Sequence, residues 1–235
     1  MKRLTLILWS IFITASNLAA QDITRLNTIG PVTSFTKTES GLLINCRDNS
    51  QVQLSVLTDD LIRIRASFTK PLPARDHSWA VARNNWDIVS WAVRETPDAL
   101  VLTTNELEVV IHRSPLLIDF RDARSHELIN ADEQPMAYDA TGLLNDMMFD
   151  PKAGRFVAAS KKLGIDEHFY GLGEKAARLD KRRGRFVNWN SDTPGYIEGR
   201  DPIYQTIPFY MGLQRGVAYG IFFDNSYRSY FDFGR

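Results

Sequence analysis

Cysteine is nearly absent from this chain: Cys46 is the one thiol in 235 residues. No intramolecular disulfide can form, and a chain this long can bury enough apolar area to do without one. Cys46 ends the apolar run 41–46 and reads as a small buried hydrophobe rather than a reactive thiol. Histidine is scarce as well. His77, His112, His126 and His168 are scattered, and no His or Cys pair has the spacing of a zinc site. The sequence therefore supports no metal and no cofactor. An excess of one charge is also missing, with 28 basic against 28 acidic side chains. Such a balance gives no long-range pull towards nucleic acid or anionic lipid and suits a neutral ligand.

Long apolar runs are missing beyond the first twenty residues. Within those twenty, Lys2 and Arg3 precede the apolar stretch 4–15, and Leu18-Ala19-Ala20 offers small residues before Gln21. That is the three-part pattern of a cleaved secretory signal peptide. The apolar stretch is shorter than the roughly 20 residues that span a bilayer. The sequence predicts a signal peptide over 1–20, a secreted or periplasmic protein, and no membrane partner. With Lys2 and Arg3 removed from the 28 basic residues, the remainder carries a net charge of −2.

Sustained helical periodicity is lacking too, apart from a short turn predicted at 175–179. Residues 51–57 alternate polar and apolar side chains, as do 61–66, and the turn Thr58-Asp59-Asp60 joins them. Two alternating runs around a tight polar turn predict a β-hairpin with one wet face. Further pairs are predicted at 100–104 with 107–112, 116–120 with 127–130, and 206–213 with 217–223. Single strands are expected at 155–159, 186–190 and 227–233. Residues 131–150 carry few strand signals and are expected to form a surface excursion. Repeated hairpins with almost no helix predict one all-β domain over 21–235, a two-sheet antiparallel sandwich.

Three blocks near the end carry more. They are Phe169-Tyr170-Gly171-Leu172-Gly173-Glu174-Lys175, then Trp189-Asn190-Ser191-Asp192-Thr193-Pro194-Gly195-Tyr196, then 201–210 with Tyr204 and Pro208-Phe209-Tyr210. In this order they resemble the N-terminal domain of glycoside hydrolase family 31, the α-glucosidase and α-xylosidase family. The strand at 61–66 and the element at 114–120 resemble the family more loosely. The resemblance implies a galactose-mutarotase-like sandwich fold and an α-linked oligosaccharide or glycoside as substrate of the complete enzyme. It also implies a catalytic (β/α)₈ barrel downstream, absent from this sequence, as the sandwich's partner within the polypeptide. Retaining glycosidases need two carboxyl groups flanking the scissile bond. The family's Trp-x-Asp-Met nucleophile pattern has no counterpart here, since Trp189 and Asp192 have the wrong spacing and Trp86-Asp87 stands alone in a strand-like run. No catalytic residue is therefore assigned.

What the resemblance does assign is Asp192, on a loop that in the family leans over the barrel mouth and accepts hydrogen bonds from sugar hydroxyls. An ionised carboxylate is suited to a pair of vicinal hydroxyls. Read as residues alone, Asp192 is first an Asx-turn residue stabilising its own loop, and the resemblance reverses that order. Tyr196 and Tyr204 lie beside it in sequence and are candidates for lining the site. The other late aromatics are expected in the core. Gly171 and Gly173 are expected at a bulge or a close backbone approach, Glu174 as a buried or edge-capping carboxylate, and 181–185 as a solvated basic turn. Two other functions stay open: an autonomous carbohydrate-binding or mutarotase-like sandwich, which would need a His and a carboxylate on one face, and a non-catalytic domain of the cell envelope.

Overall fold

The computed structural model describes residues 26–83, 85–140 and 156–235. The leader expected over 1–20 and the later part of the excursion expected over 131–150 lie outside the described residues. Among those described, there is no helix and there are sixteen strands. The first five are β1 (Asn27–Thr28), β2 (Val32–Thr38), β3 (Gly41–Cys46), β4 (Gln51–Thr58) and β5 (Leu61–Ser67). Then come β6 (Ala92–Glu95), β7 (Ala99–Thr103), β8 (Leu107–Arg113), β9 (Leu116–Asp122), β10 (Leu128–Tyr138) and β11 (Val157–Lys161). The last five are β12 (His168–Gly173), β13 (Arg185–Asn188), β14 (Thr206–Gln214), β15 (Val217–Phe222) and β16 (Ser229–Asp232).

Strands β2 to β5 form a four-stranded meander, and a seven-stranded sheet runs β1-β10-β9-β8-β7-β6 with β11 also paired to β10. Every pairing is antiparallel. The alternation in the sequence decides which face is buried. Val52, Leu54 and Val56 of β4 point inward while Gln51, Gln53 and Ser55 do not. They meet Leu100, Leu102, Val109 and Ile111 of the facing sheet in one aliphatic cluster. Each such side chain, fully buried, stabilises the fold by roughly 1.5–3 kcal/mol. Cys46 belongs to this cluster. Burial, and then the Asp48 carboxylate, push its thiol up to about 11. The thiol is accordingly expected to ignore Ellman's reagent at neutral pH in the folded protein and to react once urea unfolds it. Rapid labelling without denaturant would contradict this placement.

The sandwich expected from the hairpins is therefore present, and the chain adds a second, smaller one. Strands β12-β14-β15 form a three-stranded sheet and β13-β16 a two-stranded sheet. Their core is aromatic: Phe169, Phe186, Tyr210, Phe231 and Phe233 surround Leu172. The Phe169 and Phe233 rings stack with centroids 4.5 Å apart. Gln214 Nε2 donates to the Ile129 carbonyl (3.0 Å) and Arg215 to the Leu128 carbonyl (2.9 Å), which ties the small sandwich to β10 of the large one.

Several expectations are corrected. Residues 131–138 are not an excursion but the second half of β10, which pairs with β1 and β11. The short turn expected at 175–179 is present as a non-helical bend closed by Ala177 N–H to the Lys175 carbonyl (2.8 Å). Trp86 and Asp87 lie in no strand; the Arg83 guanidinium sits 4.5 Å from the Trp86 ring centroid instead.

Candidate functional site

The segment 189–205 crosses from the end of β13 to the start of β14, and so links the two sheets of the small sandwich. Seven hydrogen bonds hold it in place. Asn190 Oδ1 accepts from both the Thr206 N–H (2.8 Å) and its hydroxyl (2.9 Å). The Ser191 N–H donates to the Ile203 carbonyl at 3.2 Å, and the Ile203 side chain is fully buried. The Gly199 N–H donates to the Ala176 carbonyl at 2.6 Å. At the base, Lys175 Nζ contacts Asp201 Oδ1 at 2.9 Å and donates to the Val187 carbonyl at 2.7 Å. The other Asp201 oxygen accepts from the Val187 N–H of β13. The Lys175 side chain is only 1% exposed and that of Asp201 16%, so this is a buried ion pair whose two partners also bond the Val187 backbone.

On this footing sits the tip. Asp192 is exposed, and among the described residues its carboxylate accepts no hydrogen bond. The turn is held instead by Thr193, whose hydroxyl lies 3.4 Å from the Ser191 carbonyl and whose carbonyl accepts the Tyr204 phenol at 2.8 Å. The Asx-turn role left open for Asp192 is thus filled by neighbours. Tyr196 and Tyr204 meet edge to face with centroids 5.8 Å apart, both about two-fifths exposed. Desolvation, then the negative charge of Asp192 and the neighbouring Tyr196 and Glu174, raise the Tyr204 phenol above its ordinary value. The phenol therefore stays a neutral donor at physiological pH. The structure brings Asp192, Tyr196 and Tyr204 into one exposed cluster.

Two clefts adjoin the segment, and neither is lined by those three residues. The larger, about 360 Å³, lies between the β13 end and the 225–229 turn, where Asn188, Trp189, Asn190 and Tyr227 face it. The smaller, about 210 Å³, lies over the Lys175–Asp201 pair among Arg183, Arg185 and Arg200. Three of the histidines each contact one carboxylate: His112 with Asp119, His126 with Glu108, and His168 with Asp180. None of these pairs lines either cleft, so the acid–base face required for a mutarotase-like reaction is not assembled there.

Other placements differ from expectation. Glu174 is exposed, because the inward position beside it is taken by Lys175. The buried carboxylate of this region is Glu167, which accepts from the Tyr219 phenol (2.5 Å) and the Gly164 N–H (2.7 Å). The basic run is only partly solvated. Lys181 is buried, donates to the Arg178 carbonyl (2.6 Å), and has its ammonium pKa lowered by burial and then by the Lys175 charge. Phe209, Phe222, Tyr227 and Tyr230 are exposed rather than in the core. Lys175 and Asp201 were missed as supports. They are separated by a long stretch of chain, and only Asp201-Pro202 at the loop's end hinted at a fixed turn.

With this geometry in view, residues 51–232 match the model of the glycosyl hydrolase 31 N-terminal galactose mutarotase-like domain. The chain belongs to this family. It is 30% identical over 207 residues to alpha-glucosidase 2 of Bacillus thermoamyloliquefaciens, covering 87% of this chain and 24% of that protein. It is 42% identical over 81 residues to an alpha-glucosidase of Saccharolobus solfataricus, covering 34% of this chain and 12% of that one. Among solved structures, the family 31 dextranase of Flavobacterium johnsoniae bound to isomaltotriose superposes with a TM-score of 0.73 at 30% identity. That match covers 88% of this chain and 24% of the dextranase. The chain thus spans about a quarter or less of the length of these relatives. Its all-β sandwich is that of family 31 N-terminal domains.

Proposed function

We propose that this sandwich is the front of an exported retaining α-glycosidase and that its 189–205 loop supplies Asp192 to a sugar bound on a catalytic barrel elsewhere in the polypeptide. The observation that carries this reading is the idle carboxylate of Asp192. Its polar neighbours Asn190, Ser191, Thr193 and Tyr204 are spent on holding the loop, whereas Asp192 has no internal partner among the described residues. An exposed, pre-positioned carboxylate is ready to accept charge-assisted hydrogen bonds from two hydroxyls of one sugar ring. Tyr196 and Tyr204 would border that ring. Since binding on this side involves no proton transfer, the role is to position the sugar and not to cleave it.

The family of the relatives supports the reaction class, and the sequence pattern at 1–20 supports export. In the complete polypeptide, Asp192→Ala is expected to lower kcat/KM on an aryl α-glucoside by the equivalent of about 1.5–3 kcal/mol, the worth of a hydrogen bond to a charged group. Asp192→Asn, which keeps one acceptor, should lose less. Unchanged turnover in Asp192→Ala would remove this residue from the sugar site. Absence of any α-glycosidase activity in the complete polypeptide would sink the wider reading.

A further inference from the structure

The larger cleft, between the end of β13 and the 225–229 turn, has a lining distinct from that of the Asp192 cluster. It carries no acidic or basic side chain: its wall is built of the amides Asn188, Asn190 and Asn225, the rings of Trp189 and Tyr227, and small hydroxyls such as Thr206. All three amides are held in place, Asn190 by the two bonds from Thr206 described above. Asn225 Oδ1 accepts from the Tyr227 N–H at 2.9 Å, and Asn188 Nδ2 donates to the Ile207 carbonyl at 3.2 Å. Asn188 is buried, whereas Asn190 and Asn225 are exposed and turn amide groups to solvent.

The aromatic rings complete the picture. The Arg228 guanidinium lies 4.9 Å from the Trp189 ring centroid, which orients the indole by a cation–π contact. Trp189 is nonetheless 42% exposed and Tyr227 77% exposed. Exposed rings flanking a cleft are costly to leave in water and suited to a ligand with both apolar C–H faces and hydroxyls. An alkyl ligand would strand the amides.

We infer that this cleft is a second carbohydrate subsite that holds one neutral sugar unit, its hydroxyls meeting the exposed amides of Asn190 and Asn225 and its ring edge resting on Trp189 and Tyr227. The site binds and does no chemistry. It is independent of the role proposed for Asp192, because the two sets of residues do not overlap.

The test is a titration of this chain with maltotriose and with isomaltotriose, followed by saturation-transfer NMR and by calorimetry. Tyr227→Ala and Trp189→Ala are compared with Asp192→Ala. Tyr227 is largely exposed, so its removal leaves the fold intact, which the unchanged amide spectrum checks. Millimolar binding is expected, weakened about tenfold in Tyr227→Ala and in Trp189→Ala, as loss of one central aromatic anchor does, and unchanged in Asp192→Ala. Binding lost in Asp192→Ala but kept in both ring variants would put the sugar on the loop and overturn the inference. So would no binding of either trisaccharide, or equal affinity in all variants.

Discussion

Replacing Lys175 by methionine is expected to lower the unfolding free energy by about 3–5 kcal/mol, the usual cost of removing one partner of a buried ion pair. Methionine keeps the apolar stem of lysine, so little packing is lost and the effect isolates the charge. Two consequences follow from the bonds that Lys175 makes. Asp201 keeps its bond from the Val187 N–H but is left as a largely buried, unpaired carboxylate, and the Val187 carbonyl loses its donor. Since Asp201 closes the loop that carries Asp192, the damage should reach the tip. Urea unfolding at pH 7 measures the stability change, and amide exchange of residues 189–205 measures the loosening. Adding Asp201→Asn to Lys175→Met should recover part of the loss, because the carboxylate is then neutral while an oxygen still faces the Val187 N–H. A single variant within 1 kcal/mol of the parent chain, about the worth of an exposed pair, would mean that solvent reaches this pair after all.

The second large effect belongs to the bulge at 171–173 in β12. Gly171, Leu172 and Gly173 have φ of 124°, 68° and 76°, and the ladder with β14 shifts register between the two glycines. A Cβ on Gly171 would lie 2.6 Å from the Phe209 carbonyl oxygen, and one on Gly173 2.7 Å from the Ile207 nitrogen. Both obstacles are backbone of β14 and cannot rotate away. Gly171→Ala is therefore expected to cost about 1–3 kcal/mol from the backbone conformation and a further 1–3 kcal/mol, roughly, from displacing the neighbouring strand. An internal control is at hand in Gly216, with φ of 77° and nothing near its hypothetical Cβ. Gly216→Ala should show only the first of the two costs. Equal losses at the two positions, measured by thermal or urea unfolding, would mean that β14 yields without penalty.

The hairpins of the large sandwich could be read from residues because their alternation is regular and their turns are polar. Strand β10 could not. Its sequence Asn130-Ala131-Asp132-Glu133-Gln134-Pro135 looks like loop, and two features reconcile it with a sheet. Asp132 is buried but accepts from Lys161 Nζ (2.6 Å) and from the Ile118 N–H (2.9 Å). Pro135 falls at a register shift between Gln134 and Ala137, where a ladder tolerates a missing donor. The partners that satisfy these groups lie on other strands, which no local pattern reveals.

The site was legible in a similar, partial way. The glycine pair announced the bulge, and the order of the three blocks pointed to the loop. The residues that hold the loop down did not announce themselves. Lys175 reads as an ordinary exposed lysine, and Lys181 as one member of a basic run. Burial of such side chains depends on carbonyls supplied by Val187 and by Arg178, contacts settled only when the chain has folded.

The contrast between the two cores has an experimental use. The buried members of the large cluster are all aliphatic, with Cys46, whereas those of the small one are aromatic around Leu172. Rings packed that closely bend the local magnetic field, so the Leu172 methyls should resonate far upfield, well separated from the crowd of Leu, Ile and Val signals of the large sandwich. A single pair of peaks in a methyl spectrum would then report on the platform beneath Asp192. The rest of the spectrum would follow the larger body, and melting of the two could be timed separately in one sample.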